Sequence, residues 1–271
     1  MFNEVKRDDK MNVRQGKTMD SLTVKPLPTK KHKLPQTEYM KAGIINEYPS
    51  MLLLVGKTKS GKSTLCNHLC NEPKFYGGDF FHHIYLFSPT AKKDDLALHL
   101  KLDDEHMVTD PTEERLQEIV KTQDDLIESK GIKHCGKNSR VLIIFDDIVG
   151  NQKFLKSDTM TNLATMGRHS LISSVINTQS YTKIPRVIRL QANGLIVFPS
   201  SNNEIELIIF DLCPPHTSKK QFAKLIEYAT TGKHSFLYSN NPEPVETRFR
   251  KNFDTYIRCS SSFVSKKKTF Y

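Results

Sequence analysis

The stretch "MLLLVGKTKSGKSTLCNHLC", residues 51–70, sets an apolar run directly against a loop of glycines, lysines and hydroxyls. Gly56, Lys57, Thr58, Lys59, Ser60, Gly61, Lys62 and Ser63 satisfy G-x-x-x-x-G-K-[ST], the Walker A loop. The glycines let the backbone curl so that successive N–H groups point inward at phosphate oxygens. A helix starting near Lys62 would add its positive N-terminal end. Met51 to Val55 reads as a short buried strand, and Leu65 and Leu69 repeat at helical spacing behind the loop. Gly56 through Thr64 are thus expected to cradle ATP, with Lys62 on the β- and γ-phosphates and the Ser63 hydroxyl on Mg²⁺.

Hydrolysis needs more than a cradle. "VLIIFDD", residues 141–147, is a Walker B pattern, an apolar strand that delivers a carboxylate to its carboxyl end. Asp146 is expected to hold Mg²⁺ together with Ser63, and Asp147 to polarise the attacking water. The "HHIYLF" strand lies between the two Walker segments. It fits the P-loop class with a strand inserted between the Walker strands of the sheet. Asp147 to Gly150 mimics a GTPase D-x-x-G, but no N-K-x-D follows, which argues against a GTPase switch. The next strand ends in "INTQS", and Gln179 there is a candidate sensor of the γ-phosphate. Arg168, Arg186 and Arg189 flank that strand, and any of the three is a candidate arginine finger reaching a neighbouring subunit's nucleotide.

At 271 residues the chain suits one α/β domain with tails. No run of about eighteen apolar residues occurs, so no membrane span is expected, and the polar N-terminus is unlike a secretory signal. Cys66, Cys70, Cys135, Cys213 and Cys259 form no C-x-x-C pair, which suits free thiols in a reducing compartment. Cys66 and Cys70, with His68 between them, read as packing residues on the loop helix rather than a metal cluster. Residues 1–50 hold ten Lys/Arg against six Asp/Glu and residues 248–271 seven against one, so the whole formal charge of +10 sits at the two ends. Basic arms of this kind either contact phosphate backbones or stay solvated.

Along the chain, residues 1–48 read as a mostly extended arm interrupted by prolines, with "TKKHK" a weak nuclear-address pattern. Asp110-Pro111-Thr112-Glu113 predicts an N-cap, a first-turn proline and a capping-box acid for a helix that Gly131 closes. Further helices are expected over Ser157–Gly167, after Ser201 with Glu204 as capping acid, and after Ser218 with Gln221, the last ending near Gly232. Strands are expected at Leu171–Asn177, Leu195–Phe198 and Ser235–Tyr238. Alternating strands and helices predict a mostly parallel sheet covered on both faces, with nucleotide at the carboxyl ends of its strands.

These motifs in this order resemble the genome-packaging ATPases of the FtsK–HerA superfamily, in the branch found in poxviruses and other large DNA viruses. The resemblance rests on "VGKTKSGKST", "IYLFSP", "LIIFDD", "MGRHSLISSVINTQSYTKIPRVIR", "EIELI" and "FLY", over roughly residues 45–240. It implies a RecA-like P-loop ATPase core that forms a homo-oligomeric ring and drives double-stranded DNA into a preformed capsid. By position it implies an ATPase site of Lys62, Ser63, Asp146, Asp147 and Gln179, with Arg168 as first choice for the trans-acting arginine. The wider superfamily often has Glu where Asp147 stands, one methylene longer. The expected organisation is an N-terminal arm over 1–44, the ATPase domain over 45–247 and a basic tail over 248–271. The expected setting is the host cytoplasm or viral factory, with a capsid or vertex protein as partner and virion association open. A helicase or conjugation-type DNA pump and a non-enzymatic nucleotide-binding virion protein remain as alternatives.

Overall fold

In the computed structural model, which describes residues 33–93, 95–258 and 265–267, the decisive strand sits near the middle of a ten-stranded sheet. The strands are β1 (Met51–Val55), β2 (His83–Phe87), β3 (Met107–Val108), β4 (Val141–Asp146), β5 (Ile172–Thr178) and β6 (Gly194–Val197). They continue with β7 (Leu237–Asn240), β8 (Phe249–Lys251), β9 (Thr255–Ile257) and β10 (Ser265–Lys267). Their order is β10-β9-β8-β7-β6-β1-β5-β4-β2-β3. From β6 to β3 every pairing is parallel, and from β6 to β10 every pairing is antiparallel.

All five residues of β1 are buried because side chains alternate between two covered faces. Met51, Leu53 and Val55 join one core with Ile143, Phe145 and Ile176. Leu52 and Leu54 join the other, with Leu142, Ile144 and Val175. Four helices cover the second face: α1 (Glu38–Lys41), α2 (Lys62–Asn71), α3 (Asp95–His99) and α5 (Ile132–Asn138), which follows α4 (Glu113–Lys130). The first face is covered by α4, α6 (Gln152–Leu155), α7 (Asp158–Met166), α8 (Arg186–Gln191), α9 (Asn202–Leu212) and α10 (Lys219–Thr230). A short α11 (Val245–Arg248) leads into β8. Each fully buried leucine or isoleucine in these layers contributes about 1.5–3 kcal/mol.

The expected α/β class holds, but several local expectations move. The strand between the two Walker strands is β5, whereas the His82–Phe87 segment, as β2, lies outside β4. Chain order does not fix sheet order when crossover helices connect parallel strands. The N-cap of α4 is Thr112 rather than Asp110, because the Thr112 hydroxyl accepts the Arg115 N–H at 3.3 Å. Glu113 faces α7 instead, where the Thr159 N–H and hydroxyl donate to it at 3.0 and 2.9 Å. Ser218 and Gln221 do form a capping box, and Gly131 closes α4 at φ +82°.

Both presumed arms contribute to the fold. Met40, Ile44, Ile45 and Tyr48 are buried in the second core. Their partner comes from the far end of the chain. Arg250 is 1% exposed, donates to the Gly43 and Ile44 carbonyls at 2.7 and 2.9 Å, and stacks over Tyr256. Phe249 and Ile257 are buried in the first core, on the opposite face of the sheet. Residues 1–32, with most of the "TKKHK" pattern, and Cys259 in the C-terminal tail lie outside the described residues.

Candidate nucleotide site

The phosphate loop leaves β1 between two neighbours. The Gly56 N–H donates to the Thr178 carbonyl of β5 at 3.1 Å, and the Lys57 N–H to the Pro199 carbonyl beyond β6 at 3.3 Å. A Cβ on Gly56 would stand 2.6 Å from Phe198 Cβ and 2.7 Å from Ser60 Oγ, so only glycine fits there. Gly61 caps α2 at φ +110°, a left-handed conformation that glycine adopts without strain.

Where α4, α7 and α10 are capped by Thr112, Ser157 and Ser218, α2 has no side-chain cap. Its first-turn N–H groups, from Lys62, Ser63 and Thr64, have no carbonyl within the helix to bond. They are therefore available to an anion. Lys62 Nζ donates to the carbonyls of Gly56 and Lys57 at 2.8 and 3.0 Å, curled over the loop it would share with phosphate. Burial holds the Lys62 ammonium below the usual lysine range, against the opposing pull of the Asp146 and Asp147 carboxylates. Ser60 Oγ is buried without a hydrogen-bond partner among the described residues. The glycine-only turn, the uncapped helix start and the lysine fit a nucleoside triphosphate. Ser63 and Asp146 offer the hard oxygen ligands that Mg²⁺ takes alongside phosphates.

Sheet order brings the other candidates to the same end. Asp146 ends β4 level with Asn177 of β5, and Asn177 is level with Leu54 of β1. Asp147 follows at φ +50°, exposed, its N–H on the Asn177 carbonyl at 3.4 Å. Gln179 continues β5 and its Oε1 accepts the Thr58 hydroxyl of the phosphate loop at 2.8 Å. The expected sensor is therefore in contact with the cradle.

Sequence reasoning passed over two residues here. Asn177 is 1% exposed, and its amide lies against the Cys66 thiol, a partner too weak to satisfy it. The "INTQS" segment contained it, two positions before Gln179. Glu204, read as a capping acid for α9, does not cap. It accepts the Ser180 hydroxyl at 3.0 Å, the Thr182 N–H at 2.7 Å and the Thr182 hydroxyl at 2.9 Å. It clamps the segment that follows Gln179.

The three arginines part ways. Arg168 precedes β5 and stands at the amino ends of the strands. The seven residues of β5, at about 3.3 Å each, separate it from Gln179 by roughly 20 Å. There it is exposed and borders a cavity of about 480 Å³ with Glu47, Asn193, Asn240 and Glu243. Arg189 is taken up inside the fold, because its Nε lies 3.0 Å from Asp211 Oδ2 with both side chains nearly buried. It also stacks over Tyr181, whose hydroxyl donates to Asp211. Arg189 is thus a structural residue rather than a free finger. Arg186 opens α8 and is exposed.

Among the described residues no helix is long and apolar enough to cross a membrane. Uncharacterized protein 075L of invertebrate iridescent virus 6 is 25% identical to this chain over 197 residues, which cover 71% of this chain and 70% of that protein. The genome packaging NTPase B204 of Sulfolobus turreted icosahedral virus 2, solved with AMP, shares the fold at a TM-score of 0.51. It is 15% identical, over 75% of this chain and 96% of that one. B204 of Sulfolobus turreted icosahedral virus, described as its DNA-packaging ATPase, also gives a TM-score of 0.51 and 15% identity, over 71% of this chain and 93% of that one. The poxvirus A32 protein family matches residues 37–236, the span that carries the phosphate loop, both Walker acids and Gln179, and the chain belongs to that family, built on a P-loop ATPase core.

Proposed function

We propose that this chain hydrolyses ATP to translocate double-stranded DNA, loading a viral genome into a preformed capsid. The observation that carries the reading is the meeting of Thr58 and Gln179. It ties the phosphate loop to the strand end lying between the two Walker strands. A polar residue delivered there can orient the attacking water, which supports hydrolysis rather than binding alone.

In this reading the Lys62 ammonium leaves the Gly56 and Lys57 carbonyls for the β- and γ-phosphate oxygens. The α2 N–H groups hold the same phosphates. Mg²⁺ held by Ser63 and Asp146 supplies charge neutralisation. Asp147 accepts a proton from the attacking water and Gln179 orients that water in line with the γ-phosphorus. The water oxygen bonds to phosphorus, the β–γ bridging bond breaks, and ADP keeps the bridging oxygen. Arg168 acts on a neighbour's nucleotide in a ring of identical subunits. DNA is gripped through its phosphates without sequence reading, so affinity falls with salt. A capsid or vertex protein recruits the ring in the cytoplasm or viral factory of the host cell.

The test is steady-state ATP hydrolysis at several protein concentrations, with and without long double-stranded DNA, beside Lys62→Ala and Arg168→Ala. Activity that rises with DNA and concentration is expected, with each variant strongly impaired and their mixture partly recovered. A preference for single strands would move the assignment to a helicase or conjugation-type pump. ATP binding with no turnover under any condition would overturn the motor reading in favour of a nucleotide-binding virion protein.

A further inference from the structure

We propose that the turn Thr231–Ser235, led by His234, is the nucleoside side of the site, with the His234 imidazole flanking the purine ring of ATP. The proposal rests on the nucleotide reading above and adds the part of the ligand that the Walker motifs leave unassigned.

Topology delivers the turn. β7 runs antiparallel to β6 and begins with Leu237 opposite Val197, the last residue of β6. The chain entering β7 therefore arrives at the sheet end where the parallel strands finish. Asp146 and Gln179 lie on one side of β1, toward β5 and β4, whereas β6 and β7 lie on the other. A triphosphate whose terminal group faces Asp146 and Gln179 runs along the loop and leaves its nucleoside toward β6 and β7.

His234 stands at that exit. Its Nδ1 is 3.1 Å from the Ser60 carbonyl, and a Cβ on Gly61 would meet the same ring at 3.1 Å. A carbonyl only accepts, so Nδ1 carries the proton in this contact, leaving the Nε2 edge and the flat ring faces for a ligand. The residue is exposed, so the rest of its ring is open to a ligand.

Its backbone is also left-handed, at φ +59°, a conformation that costs a histidine energy and persists where surroundings over-determine it. They do. Lys251 Nζ donates to the Tyr228 and Thr231 carbonyls at 3.2 and 2.7 Å, and Gly232 turns at φ +115°. Phe236 and Asn252 exchange two hydrogen bonds, Phe236 N–H to Asn252 Oδ1 at 3.2 Å and Asn252 N–H to Phe236 O at 2.9 Å. The Phe236 ring packs on Phe198 and Phe253. The fold thus holds an exposed aromatic ring against the phosphate loop.

The test compares binding of ATP and of inorganic tripolyphosphate, in Mg²⁺ buffer, to wild type, His234→Gly and His234→Asn. Both replacements tolerate a positive φ, and thermal unfolding checks that each variant folds. Loss of a stacking ring predicts ATP binding weaker by roughly 5- to 100-fold, with tripolyphosphate affinity unchanged. ATP and tripolyphosphate weakening together would overturn the proposal and make His234 a support of the loop. Unchanged ATP affinity would also overturn it. Wild type binding neither ligand would remove the nucleotide reading itself, and this proposal with it.

Discussion

The two ends of the central strands are built differently. At the carboxyl ends, Lys62, Asp146, Asp147 and Gln179 come from three separate segments and converge on one glycine-shaped loop. At the amino ends, Arg168 stands exposed beside a cavity bordered by Glu47 and Glu243. In the proposed reading, one end has what a phosphoryl-transfer site needs except a second cation for the transition state. The other end has a cation roughly 20 Å from its own chain's phosphate loop. Geometry within one chain cannot join them, so a finger role for Arg168 requires another copy.

The sharpest way to break this contrast is to remove Arg168. Arg168→Ala is expected to lower kcat by about 10³–10⁵-fold, the range for arginine fingers, while Arg186→Ala changes it little. Steady-state kinetics on both variants checks this, and the reverse pattern would transfer the role to Arg186. Lys62→Ala acts at the carboxyl end and should cost about 10²–10³-fold in kcat, as for one lost transition-state donor.

Arg189→Ala should behave unlike either finger candidate. It strands Asp211 in a nearly buried site and is expected to destabilise the fold by about 3–5 kcal/mol, read by urea unfolding. Glu204→Gln exchanges one acceptor oxygen for a donor facing the Thr182 N–H and hydroxyls. It should cost about 1–3 kcal/mol of stability and lower kcat more than it raises KM, because the Gln179 segment loosens. Ser218→Ala lies far along the chain from both ends and should remove only about 1 kcal/mol, the worth of a helix cap.

Features set by adjacent residues were legible in the sequence. The Walker A loop, the apolar strand before the Asp146–Asp147 pair, the Ser218–Gln221 cap and the Gly131 stop each depend on residues a few positions apart. What the sequence hid depends on distant partners. Arg250 and Lys251 read as part of a basic tail, yet one is buried against the Gly43 and Ile44 carbonyls and the other pins the turn before β7. The three-residue strands β8 and β9 are too short to show a period. Ser201 and Glu204 have cap spacing, but two hydroxyls and an N–H from the β5 side compete for the same carboxylate and win. The three arginines around β5 look alike in sequence, and only their partners separate them.

The outermost strands of the sheet carry a consequence for assembly. Among the described residues, one edge is β3, two residues long, and the other is β10, whose sequence is Ser-Lys-Lys. Edges this short are poor templates for strand addition by another molecule. Among the described residues, strand addition is therefore a disfavoured route for copies of this chain to associate. Subunits joined through helices and loops could tilt and slide against one another without breaking a backbone ladder, a freedom that the proposed ring would use and a fibril lacks.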